Sequence, residues 1–205
     1  LDRRLRLISG SPRPHYMMPM LNSSYDVVFL TGYHGGGGSY HGVMDHTYTS
    51  NFHRITINGT PVNESLLNAA LAGCHGIPVG LVTGDEALRQ QLGDEKGLPW
   101  AKFVTTKIGL SRFAAINRPL ELIQEETIGA VREVLAKDPK KLPVYRFETP
   151  ANLTLELSNS AMADILAMVP GVRRLDGRTV EFIHEDFATV YNAIEPFASL
   201  AGLYK

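Results

Sequence analysis

The chain has 205 residues, 44% of them hydrophobic and 20% charged. That is enough for a core that hides roughly 70% of the unfolded surface, which excludes a disulfide-stapled miniprotein and a disordered tail. Twenty Lys and Arg against 21 Asp and Glu leave a net charge of -1, so there is no basic excess to neutralise phosphates and no nucleic-acid partner is expected. One cysteine closes no internal disulfide, which fits a reducing, cytoplasmic setting. No apolar run nears the roughly 20 residues of a membrane helix, so no membrane association is expected. Leu1-Asp2-Arg3-Arg4 does not open a signal peptide, and this basic-apolar start reads as the middle of a domain.

Taken in chain order, residues 25–32 (YDVVFLTG) have a continuous apolar centre and predict a strand buried on both faces, as in a parallel sheet. A long loop over residues 33–47 holds Gly35 to Gly38 and three histidines. Residues 52–57 alternate with period two and stop at Asn58-Gly59, a tight-turn pair. Pro61 suits the first turn of a helix over residues 62–74, with Leu66, Leu67, Ala70 and Leu71 on one face and Gly76 beyond its end. Residues 78–85 read as a second buried strand running into a helix over 86–92, and residues 101–107 as a third strand. The longest helix is expected over 119–136. This alternation predicts an α/β fold, a mostly parallel sheet flanked by helices, over residues 1–137.

Residues 138–143 (DPKKLP) read as a linker. Beyond it come a strand at 153–157, a helix at 161–168, a strand pair at 172–175 and 179–184 joined by Asp176-Gly177, and a helix at 187–200. That βαββα order predicts a second, smaller α+β domain over residues 143–205.

Four of the seven histidines, His34, His41, His46 and His53, fall within twenty residues. His34 follows a buried strand, where open α/β sheets place ligands beyond their carboxyl ends. Imidazole suits zinc and also moves protons near neutral pH. Glu64 adds a carboxylate at a helix start, where the helix dipole favours negative charge. Plain structural readings stand beside these: an exposed loop histidine at 34, a loop residue without a role at 41, a structural strand residue at 53, and a helix-stabilising carboxylate at 64. The spacing matches no compact zinc motif. Gly35 to Gly38 lacks the Lys-Ser/Thr of a phosphate-binding loop; glycines here let backbone pass close to a substrate or a neighbouring subunit, with a phosphate-ligand binder as the rival. Cys74 lies on the helical apolar stripe and is read as core. Ser111-Arg112 suits a carboxylate contact or a plain surface loop.

Three ordered motifs go further. Gly32-Tyr33-His34, then Gly42-Val43-Met44-Asp45-His46, then residues 57–64 (INGTPVNE) resemble the DppA-like zinc D-aminopeptidases. The likeness continues through Ile77-Pro78-Val79, Gly84-Asp85, Thr105-Thr106-Lys107 and Ser111-Arg112, and on to Met168-Val169-Pro170-Gly171 and Thr179-Val180-Glu181-Phe182. The resemblance implies a metal-dependent aminopeptidase releasing N-terminal, D-configured residues from short peptides through a two-zinc centre. It marks His34 and Glu64 as metal ligands and His46 as the catalytic histidine, with nucleophilic and acid–base roles both open. It also implies two Zn2+ per subunit of the full-length protein and a ring-forming homo-oligomer, a decamer.

Two family motifs do not occur in this sequence: the opening Ser-x-Asp-x-Glu-Gly strand and a later Asn-Asp-x-His. They supply further metal ligands, so the expectation is a chain whose front portion lies elsewhere, present as a separate N-terminal fragment or unrecorded. The rival from another class is a non-catalytic assembly or peptide-binding relative without the metal site.

Overall fold

The computed structural model describes residues 2–204. Its elements in chain order are β1 (Val28–Tyr33), β2 (Phe52–Ile57), β3 (Thr60–Pro61), α1 (Glu64–Cys74), β4 (Val79–Asp85), α2 (Glu86–Gly93), β5 (Lys102–Ser111), β6 (Ala114–Asn117), α3 (Leu120–Leu135), β7 (Ala151–Leu157), α4 (Ser160–Ala167), β8 (Val172–Arg174), β9 (Thr179–His184) and α5 (Phe187–Ala201). Two sheets organise them. The first runs β1-β4-β5-β6, with β1, β4 and β5 parallel and β6 returning antiparallel; the second, β3-β2-β7-β9-β8, is antiparallel throughout. The expected α/β class with a mostly parallel, helix-flanked sheet and a further α+β unit is what the chain adopts.

β4 lies between two parallel neighbours, and all seven of its residues are buried, as a continuous apolar run predicts. β1 departs from the same expectation. It occupies the edge of the sheet, so of its six residues only Leu30 is buried while Thr31 and Gly32 are exposed. β7 alternates strictly, sending Ala151, Leu153, Leu155 and Leu157 into the core and Thr154 and Glu156 outward.

β2 pairs with β7 across the whole intervening chain, Ile55 opposite Leu155 and Ile57 opposite Leu153, so strands on both sides of residues 138–143 share one sheet. Pro61 pairs with Thr56 in β3 instead of opening the helix. A two-residue edge strand tolerates the missing N–H, and Asn63 takes the cap by accepting the Leu66 N–H at 3.0 Å. α1 then runs against β1 and α5, buried over residues 65–73. Its Leu67 and Leu71 join Leu153, Leu155, Val190 and Ile194 in a core shared by both sheets. Cys74, at the end of α1, is exposed and not core, because the helix emerges from the packed layer there. Among the described residues no helix is long and apolar enough to cross a membrane.

Candidate metal centre

Three chain segments bring the site together. His34 is the first residue after β1, Glu64 is the first residue of α1, and His46 lies on the loop between β1 and β2. His34 Nε2 stands 3.8 Å from Glu64 Oε2, and His46 Nε2 stands 3.7 Å from Glu64 Oε1. The two imidazoles stack at 4.3 Å between centroids and 24° between planes. One donor atom from each of the three side chains lies within 4.8 Å of the others, and among the described residues no other His, Cys, Asp or Glu group converges in this way. The side chains are 21% (His34), 30% (His46) and 12% (Glu64) exposed, which leaves the cluster reachable from solvent on one side.

Hydrogen bonds set the chemistry of the two rings. His34 Nδ1 lies 3.0 Å from the Gly35 carbonyl and His46 Nδ1 lies 2.5 Å from the Met44 carbonyl. A carbonyl only accepts, so each Nδ1 carries a proton and donates it, which leaves Nε2, the atom turned toward Glu64, as the nitrogen that can serve as a donor to a metal. Backbone carbonyls that accept from the far ring nitrogen orient metal-binding histidines in this manner. Glu64 Oε1 accepts the Tyr48 backbone N–H at 2.8 Å, which fixes the carboxylate, and the N-terminus of α1 favours its charge. His34 Nε2 and the Glu64 carboxylate are donors of the kind zinc accepts, and His46 Nε2 stands beside them.

The loop that carries His46 is held at several points. Asp45, buried, accepts the Gly38 N–H on Oδ2 at 2.7 Å and Arg112 Nη1 on Oδ1 at 2.7 Å. Arg112 is thus not a free surface-loop residue. It stands in the turn between β5 and β6, and its carbonyl accepts the Met44 N–H at 2.8 Å. A Cβ on Gly109 of β5 would overlap the His41 carbonyl, so only glycine lets the strand pass this close to the loop. His41, Met44 and Tyr48 all adopt positive φ (55°, 55° and 63°), conformations that cost on the order of 1–3 kcal/mol each and persist where surrounding structure enforces them.

Gln91 of α2 ties down the glycine run, accepting the Gly36 N–H at 3.1 Å and the Asn63 Nδ2–H at 2.9 Å while donating to Ser39 Oγ at 2.6 Å. The run therefore serves as close-packed backbone beside the cluster. His53 does not join the cluster; it is exposed on β2 and lines a small cavity next to His46.

Beneath Glu64 lies a tyrosine layer that sequence reasoning missed. Asn68 donates to Tyr33 Oη at 2.7 Å and accepts from Tyr191 Oη at 2.6 Å, while Tyr48 stacks on Tyr16 at 5.3 Å. Burial pushes the Tyr33 phenol up to about 12, with the Glu64 charge adding to the rise and the Asn68 hydrogen bond opposing it. Burial likewise raises Tyr48 and Tyr191, so all three stay neutral near pH 7. They lie on β1, on the loop after it and on α5, with no shared motif to link them.

Comparison with known proteins gives the same direction. A family model described as D-aminopeptidase matches residues 1–196. The D-aminopeptidase of Bacillus subtilis (strain 168) is 30% identical over 200 residues, spanning 95% of this chain and 70% of that protein. Among solved structures, the Zn-dependent D-aminopeptidase DppA from Bacillus subtilis, described as a self-compartmentalizing protease, superposes with a TM-score of 0.88 at 26% identity, over 98% of this chain and 73% of that one.

Proposed function

Because the chain belongs to the D-aminopeptidase family, as the match over residues 1–196 shows, we propose that it is a zinc-dependent hydrolase releasing N-terminal D-amino acids from short peptides. The observation that carries this reading is the convergence of His34 Nε2, His46 Nε2 and a Glu64 oxygen within 4.8 Å, with both rings locked in the tautomer that leaves Nε2 free. His34 and Glu64 would hold zinc. Zinc held there supplies Lewis acidity that polarises a peptide carbonyl and makes water a nucleophile near neutral pH.

The protein's own groups do the rest. Glu64 is fixed in place by the Tyr48 N–H. His46, the less buried ring, holds its Nε2 lone pair ready to accept a proton and to return it to the departing amine as the tetrahedral species collapses. The second ion of a two-zinc centre would draw on donors beyond this trio. Self-association is part of the same reading: the related protein is described as self-compartmentalizing, and the β5–β6 hairpin exposes Ile108, Leu110, Phe113 and Ile116 together beside the site.

The test is release of D-alanine from D-Ala-D-Ala by the purified protein supplied with zinc, against the L,L isomer. Zinc-dependent release with preference for the D substrate is expected. No release of either configuration with zinc bound overturns the assignment.

A further inference from the structure

The turn between β5 and β6 delivers Arg112 to a small cavity that also touches the cluster. That cavity, of about 120 Å³, is open to solvent on one side and walled by Asp45, His46, Ser50, His53 and Arg112 among others. It has room for one small polar group. Arg112 Nη1 makes both bonds to Asp45, to its carbonyl at 2.6 Å and to Oδ1 at 2.7 Å. The three N–H groups on Nε and Nη2 make no hydrogen bond among the described residues, and the side chain is 40% exposed. Asp45 has its other oxygen occupied by the Gly38 N–H, so it is satisfied without those three donors. The result is a guanidinium held at Nη1 and packed 5.6 Å over the Phe113 ring, with Nε and Nη2 uncommitted, on the wall of a cavity that His46 also lines.

We propose that Arg112 determines specificity by binding the C-terminal carboxylate of a di- or tripeptide whose N-terminal end lies at His34, His46 and Glu64. This deepens the short-peptide hydrolase reading and rests on it. A guanidinium fork matches a carboxylate through two parallel N–H···O bonds. Asp45 has already restrained the side chain, so little rotamer freedom is lost when the ligand arrives. A longer peptide places a neutral amide at the same point and cannot form the ion pair. Preference for a free carboxylate follows from that lost ion pair, without a lid.

The experiment uses two non-hydrolysable probes, the D-Ala-D-Ala isostere with a CH2–NH link in place of the scissile amide, as the free acid and as the C-terminal amide. Calorimetric titration of the zinc-loaded wild-type protein is expected to show at least tenfold tighter binding of the acid. Arg112→Gln brings the two probes to within about twofold, and Arg112→Lys restores part of the preference through charge alone. Equal binding of acid and amide by the wild type overturns the proposal whatever the variants do. Equal weakening of both probes in Arg112→Gln also overturns it, because that is the signature of a clasp acting only on Asp45. A protein that prefers the acid probe yet cleaves no D-Ala-D-Ala keeps the carboxylate site and loses the peptidase assignment.

Discussion

Asp85 binds Val43 across 42 positions of chain: its Oδ2 accepts the Val43 backbone N–H at 2.8 Å while its Oδ1 accepts the Leu88 N–H at 2.9 Å and caps α2. The residue is 1% exposed. One buried carboxylate thus joins the end of β4, the start of α2 and the loop leading to His46. Asp85→Asn keeps one acceptor oxygen and turns an NH2 toward the other N–H, leaving a buried donor unpaired at about 1–3 kcal/mol. Chemical denaturation should show a loss of that size, together with reduced turnover as the loop loosens. A variant with wild-type stability and turnover would remove Asp85 from this coupling.

Zinc affinity provides a direct check on Glu64. Gln at this position preserves shape and can still accept the Tyr48 N–H, so the fold is expected to survive. The charge that would hold the metal is lost, and affinity measured by competition with a chelator should fall by more than the ~10–100-fold typical of removing a group that only hydrogen-bonds to a ligand. Wild-type zinc content and affinity in Glu64→Gln would take Glu64 out of the centre.

Asp186 caps α5 and gives stability a pH signature. The Thr189 hydroxyl and the Ala188 and Thr189 N–H groups stabilise its carboxylate and hold its carboxyl below the usual Asp range, against a smaller opposing effect of burial. A lowered folded-state value means the stabilisation is complete above the unfolded value near 3.9 and drains away as pH falls through the folded value. Asp186→Ala should therefore cost about 1 kcal/mol near pH 7, the usual worth of a helix N-cap. The gap between the two proteins should narrow in thermal melts taken below pH 4; a gap that is constant with pH speaks against a carboxylate cap.

The hairpin of β5 and β6 tests assembly. Ile108 and Ile116 are direct cross-strand partners and both are exposed, with Phe113 at the turn 77% exposed. Contiguous apolar surface of this kind marks an interaction site. Sedimentation velocity should find the wild type oligomeric and Ile116→Lys shifted toward monomer, with folding unchanged because the side chain is outside the core. An assembly insensitive to this charge places the contact on another face.

How much of this was legible beforehand follows from the range of the forces involved. Hydrophobic period and turn residues are local, and they located β2, α1, β4, α2, β9 and α5 to within a residue or two. The three members of the histidine–carboxylate trio could be singled out as well, because each sits in a recognisable motif: His34 after β1, Glu64 at the start of α1, His46 in its Gly-Val-Met-Asp-His run. β6 was not foreseen, since Ala114–Asn117 has too few residues and too weak a pattern to stand out from a loop.

Pairing between distant segments left no local trace. β1 has the apolar composition of a central strand, yet it forms an edge because strand order depends on which neighbours find it. β2 and β7, separated by nearly a hundred residues, join one sheet through backbone hydrogen bonds that any residue can make. Arg112 is the sharpest case. Its sequence neighbours suggest a surface turn, and its meaning comes from Asp45, 67 positions away, which receives Nη1 on the wall of a cavity shared with His46. Length, composition and charge excluded a miniprotein and a phosphate-neutralising surface at the outset, and the ordered motifs pointed to the family that the match over residues 1–196 shows. Which donors converge, and which cation stands opposite them, came from the packing of loops on a sheet, because side-chain chemistry is written residue by residue while proximity belongs to the whole chain.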